Sequence, residues 1–148
     1  MNTNLQKTSW IGAIALAGAV GILASCQSMD PMMGGQQVTL SGTSEVPPVA
    51  TPATGSGTVT IKDDRSVSVH IMVTGMTATA AHIHEGAMGA NGPVIVPFTK
   101  TADNTFDAPP GAKLTDAQYA SYKAGNLYVN VHSAKNPGGE VRAQIKGN

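Results

Sequence analysis

The chain has 148 residues, and its nine basic and nine acidic side chains give a formal net charge of +0 at pH 7. That balance argues against nucleic acid, or an electrostatically held membrane surface, as a partner. A single cysteine leaves no internal disulfide, while 12% charged and 4% aromatic residues beside 17 glycines and 9 prolines favour short strands joined by many turns.

The N-terminal stretch reads as a secretory signal. Lys7 precedes an apolar run from Ile11 to Leu23, which is too short for a comfortable membrane span. The run ends in Leu23-Ala24-Ser25-Cys26, which resembles the bacterial lipobox, whose cysteine is diacylated on sulfur and becomes the first mature residue. Residues 1–25 are therefore expected to be a lipoprotein signal peptide, with Cys26 as the lipidation site and the membrane as a partner through its acyl chains. Each buried methylene contributes about 0.8 kcal/mol to such an anchor. Gln27 follows the cysteine, with no aspartate there to signal inner-membrane retention, so the expected address is the cell envelope, at the outer membrane where the cell has one. Residues 26–37 read as a flexible tether broken by Pro31, Gly34 and Gly35. Its Met29, Met32 and Met33 are read as a mildly apolar linker near lipid, the alternative being a soft Cu(I) relay.

Residues 38–148 form the expected folded domain. Val38-Thr39-Leu40 alternates, and Glu45-Val46-Pro47-Pro48-Val49 extends without being able to serve as a central strand, because proline donates no ladder hydrogen bond. Thr58–Ile61 and Ser66–Val73 alternate cleanly around the polar turn Lys62-Asp63-Asp64-Arg65 and read as a hairpin with one wet face. Further strands are expected at Ala80–Glu85, Val94–Phe98, Leu127–His132 and Val141–Ile145. Gly138-Gly139 ahead of the last one reads as a turn with a positive φ. One helix interrupts them, from Asp116 to Ala124, with Thr115 and Gln118 as a capping box and Gly125 as its stop.

Two of these strands carry three of the four histidines. In Ala80-Ala81-His82-Ile83-His84-Glu85-Gly86, parity puts His82 and His84 on one face, roughly 6–7 Å apart at the backbone, and Ile83 on the other. In Leu127-Tyr128-Val129-Asn130-Val131-His132, parity sends Leu127, Val129 and Val131 into the core and Tyr128, Asn130 and His132 to a non-core face. If the two strands are neighbours, three imidazoles converge. Such a set suits copper or zinc, with water, Glu85 or Glu140 as a fourth ligand. The bland alternative is three solvated histidines bonded to Tyr128, Asn130 or Glu140. His70 falls on the wet face of its own strand and reads as a surface residue, and Met88 reads as a gap filler sooner than an axial ligand. No catalytic group emerges: Ser44 has no base in view, and Ser133 points away from the adjacent His132.

Several separated blocks carry a family resemblance. Ser41-Gly42 with Glu45-Val46-Pro47-Pro48-Val49, Ala81-His82-Ile83-His84, Gly92-Pro93-Val94, Leu114-Thr115, and Leu127–His132 with Asn136-Pro137-Gly138-Gly139-Glu140-Val141-Arg142 resemble the CHRD domain, named from chordin. The resemblance runs from about Val38 to Ile145. It implies an extracytoplasmic β-sandwich module with no established enzymatic activity. The expected fold is an all-β, antiparallel, Greek-key-like β-sandwich with one short helix near residues 116–124. Chordin's ligand-binding role does not carry over, because its cysteine-rich modules have no counterpart in this chain.

A local likeness concerns the histidines alone. His82-Ile83-His84-Glu85 resembles the His-x-His strand that supplies two copper ligands in Cu/Zn superoxide dismutases, with His132 in the place of a later copper histidine. The dismutase's zinc ligands, bridging histidine and cysteine pair have no counterpart, and Glu140 stands where its arginine would follow the two glycines. The expected function is thus a lipid-anchored, non-catalytic binding module of unknown protein or envelope ligand, with a copper or zinc site at His82, His84 and His132. The alternatives are a dismutase-like copper enzyme and a purely structural envelope lipoprotein.

Overall fold

A computed structural model describes residues 35–147. The apolar run, Cys26 and the methionines Met29, Met32 and Met33 lie outside the described residues.

Strands β1 (Gln36–Ser41), β2 (Thr54–Ile61) and β3 (Val67–Thr74) form an antiparallel meander. In β3 the side chains of Val67, Val69, Ile71 and Val73 are buried and those between them exposed, the one-wet-face alternation expected of this hairpin. Its turn closes through Arg65 at φ 68 and through Asp64, which accepts hydrogen bonds from the Ser66 amide and hydroxyl. β1 starts earlier than its apolar pattern predicts. Gln36 and Gln37 pair with Val59 and Thr58, and the Gln37 amide donates to the Thr58 hydroxyl at 2.8 Å, so these two tether residues belong to the sheet.

The chain continues through β4 (Ala78–Glu85), β5 (Val94–Pro97), β6 (Thr99–Ala102) and β7 (Thr105–Asp107), then α1 (Asp116–Lys123), β8 (Leu127–Ser133) and β9 (Val141–Ile145). The nine strands of the described residues lie in one antiparallel sheet, in the order β5-β4-β8-β9-β1-β2-β3-β7-β6. The two layers expected of a sandwich are the two halves of this continuous sheet, joined between β1 and β9 at the single pair Ser41 and Arg142. Its two edge strands are consecutive in the chain. Only Phe98 separates β5 from β6, and its amide donates to the Ala81 carbonyl, so the sheet nearly closes on itself. One core fills the inside, with Leu40, Ile71, Ile83, Phe106, Leu127 and Ile145 all but fully buried. Burying such a side chain contributes about 1.5–3 kcal/mol.

The helix forms where the capping box predicts. The Thr115 hydroxyl accepts from the Gln118 amide and the Gln118 side chain accepts from the Thr115 amide. At the other end Gly125, at φ 75, donates to Tyr122 and Asn126 donates to Ser121, which caps the last carbonyls. Strands β6 and β7 have no counterpart in the sequence pattern, since β6 is exposed throughout and β7 is three residues long.

The solvated second face that the bland alternative assumes for β8 is absent from the structure. Every residue of β8 is buried, on both faces. Residues 42–51, 86–93 and 134–140 fold over its outer side and supply Glu45, Gly92 and Pro137 to the polar groups there. Polar side chains on that face are therefore buried and hold specific partners.

Candidate metal centre

β4 and β8 are neighbours, with His82 paired to Asn130, His84 to Tyr128 and Ala80 to His132. This register brings the three histidines together, and one ring nitrogen from each lies within 4.8 Å of the others. The ring centroids are 4.8 Å apart for His82 and His132, 5.5 Å for His82 and His84, and 5.9 Å for His84 and His132. His84 and His132 are 8% and 9% exposed, and His82 is half-buried at the mouth.

Hydrogen bonds to carbonyls fix two of the tautomers. His84 Nδ1 lies 2.9 Å from the Gly92 oxygen and His132 Nδ1 lies 2.9 Å from the Pro137 oxygen. A carbonyl only accepts, so both Nδ1 atoms carry the proton and both Nε2 atoms present lone pairs. His82 Nδ1 lies 3.0 Å from His132 Nε2 and donates to it. His84 Nε2 is buried without a hydrogen-bond partner. A backbone acceptor behind each of two imidazoles, with the opposite nitrogen turned inward, is how proteins orient histidine ligands toward a metal.

Electrostatics keep the cluster uncharged. Burial and the two neighbouring imidazoles push His82 down to about 4. Burial lowers His84, opposed by its bond to Gly92, and burial likewise lowers His132. Neutral imidazoles are the donor form that zinc and copper need, and His84 and His132 already present Nε2 lone pairs, while His82 joins them once its Nδ1 proton moves to Nε2.

The surroundings differ from those expected. Glu85, proposed as a fourth ligand, accepts a hydrogen bond from Ser121 on α1, because its parity turns it from His84. Glu140, the other proposed ligand, is buried but accepts from the Thr51 hydroxyl at 2.6 Å and from Ser133. Among the described residues neither carboxylate joins the histidine group. His70 is exposed and lies 2.6 Å from Asp107 on β7, and Met88 is 80% exposed. The surface reading of His70 thus holds, whereas Met88 fills no apolar gap.

Three further residues stand near the site, and of these the sequence reading links only Asn130 to the histidines. Arg142, 1% exposed, sits over the Tyr128 ring at 3.4 Å, and its guanidinium donates to the carbonyls of Ala87 and Ala90 and to Asn91. Glu45 is 5% exposed, and its carboxylate accepts from Asn130 Nδ2 at 3.2 and 3.4 Å. Burial pushes the Glu45 carboxyl up, opposed by the Asn130 bond and by Arg142. Asn130 is 2% exposed, with its amide nitrogen held by the Glu45 carboxylate. Parity placed Asn130 on this face, but only long-range folding brings Glu45 to it.

The fold and the cluster define an all-β module with a largely buried three-imidazole group on one strand pair. The chain belongs to the CHRD domain family, whose profile matches residues 36–145. That family is one of extracellular binding modules. Searches of curated proteins and of solved structures find no match.

Proposed function

We propose that this protein is an envelope-anchored, non-catalytic CHRD module that binds one copper or zinc ion through His82, His84 and His132. The observation that carries this reading is His84: its Nδ1 is committed to the Gly92 carbonyl, and its Nε2 is buried with no partner. A buried lone pair left unpaired costs about 1–3 kcal/mol, which a bound cation offsets. The fit to Zn(II) or Cu(II) follows from three neutral nitrogen donors and no thiolate. Anchoring through Cys26 would hold the site at the membrane surface, outside the cytoplasm.

The non-catalytic part of the reading is supported by Arg142. Dismutase chemistry needs a cation that an incoming anion can reach, and this guanidinium is 1% exposed and turned onto loop carbonyls. The test is elemental analysis and Cu(II) and Zn(II) titration of the untagged protein, with single alanine variants of the four histidines. One ion per chain is expected. His82→Ala, His84→Ala and His132→Ala should each weaken binding at least tenfold, about 1.4 kcal/mol, and His70→Ala should not. No stoichiometric metal, or an equal loss in His70→Ala, would overturn the proposal.

A further inference from the structure

We infer that Asn130 Oδ1 is the fourth donor of this centre, making it a three-nitrogen, one-oxygen site closed by a neutral amide. The inference rests on the metal reading of the histidine cluster. It takes the place for which the sequence offers water, Glu85 or Glu140.

Only two buried side-chain polar atoms lack a hydrogen-bond partner among the described residues: His84 Nε2 and Asn130 Oδ1. They belong to diagonal neighbours on the β4–β8 ladder, where His84 faces Tyr128 and Asn130 faces His82. Both are acceptors. His84 Nε2 is a lone pair because Nδ1–H donates to Gly92, so the two atoms cannot satisfy one another.

The amide orientation is fixed from its other end. Asn130 Nδ2 donates to Glu45 at 3.2 and 3.4 Å and faces the Gly138 carbonyl at 3.3 Å. A flipped amide would set Oδ1 against the Gly138 carbonyl oxygen, and against Glu45 whenever that residue is ionised. With Nδ2 held there, Oδ1 is turned away from Glu45 and Gly138 and stays buried without a partner. A cation between His84 Nε2 and Asn130 Oδ1 satisfies both orphans at once. Asn130 lies directly across the ladder from His82 and two residues before His132, so one strand pair supplies all four donors. Three imidazoles and an amide carry no negative charge and no sulfur, a set suited to Cu(II) or Zn(II) over Cu(I).

The test uses the full-length wild-type protein labelled with 13C-asparagine and loaded with one equivalent of Cu(II). Pulsed paramagnetic resonance should show three imidazole nitrogen couplings and a 13C coupling from one carboxamide carbon. Asn130→Ala should abolish the carbon coupling, keep the nitrogen couplings and weaken Cu(II) binding about tenfold. Nitrogen couplings without any asparagine 13C coupling would overturn the amide ligand and leave the histidine site standing. Failure of the wild type to bind Cu(II) would overturn both. Because the decisive spectrum is taken on the wild type, poor folding of Asn130→Ala does not decide the outcome.

Discussion

Tyr128 lies flat against His84, with ring centroids 4.9 Å apart and planes 9° from parallel, and the Arg142 guanidinium sits over the same ring at 3.4 Å. The Tyr128 ring thus ties β9 and β4 to β8. The Tyr128 hydroxyl also accepts from the Gly92 amide at 3.1 Å, and the Gly92 carbonyl is the group that fixes the His84 tautomer. Arg142 holds the same loop through Ala87, Ala90 and Asn91. The histidine geometry therefore depends on residues that touch no histidine lone pair.

Removing the loop clamp should loosen the site without deleting a donor. Tyr128→Phe loses the Gly92 hydrogen bond and should cost about 1 kcal/mol. Arg142→Leu removes the hydrogen bonds to Ala87, Ala90 and Asn91 and the cation above the ring, so a loss of about 2 kcal/mol is expected. Urea denaturation of the metal-free proteins gives both values. Equal stability of Arg142→Leu and wild type would show that the loop holds itself.

Acid should destabilise the metal-free fold through the histidines. His82, His84 and His132 are all shifted down, so the folded state keeps them neutral while the unfolded chain protonates them near 6.5. The unfolded state then binds more protons, and stability falls as pH drops. The contribution is complete above about 6.5 and, for His82, is lost on the way down to about 4. Glu45 is shifted up and acts in the opposite direction, so the comparison must be made against a histidine variant. Unfolding midpoints of the wild type should drop more steeply between these values than those of His82→Ala. Parallel pH profiles would contradict this.

The two glycines after Pro137 should behave differently. Gly139 has φ 133, and a Cβ there would run into the Asn130 amide nitrogen and both Glu45 oxygens. Gly138 has open space and no positive φ. Gly139→Ala should therefore lower the melting temperature markedly and weaken metal binding through Asn130, while Gly138→Ala should be near neutral. A similar melting shift in both variants would sink the assignment.

Lipidation is checked by fractionation. Cys26→Ser should release the protein from membranes or block its maturation, because the acyl chains are proposed as its only anchor. A variant that fractionates and migrates like the wild type would exclude the lipid.

What the sequence determined by itself is local. Period-two alternation located seven of the nine strands, since a strand with one buried face must alternate, and the Thr115–Gln118 box with Gly125 bounded the helix. Parity also put His82, His84 and His132 on compatible faces. It did not reveal that β4 and β8 are adjacent, because strand order reflects packing of the whole sheet. Strand β6 was illegible because an exposed edge segment needs no apolar pattern, and β7 because three residues around the single buried Phe106 are too short to show a period. Parity likewise says which face a residue takes but not what covers that face. Only the tertiary structure laid Glu45, 85 residues before Asn130, onto the outer side of β8, and turned Glu85 and Glu140 to partners elsewhere. Burial of that second face converts a row of apparently wet side chains into a neutral, oriented cluster, because groups removed from water must find partners or lose their charge.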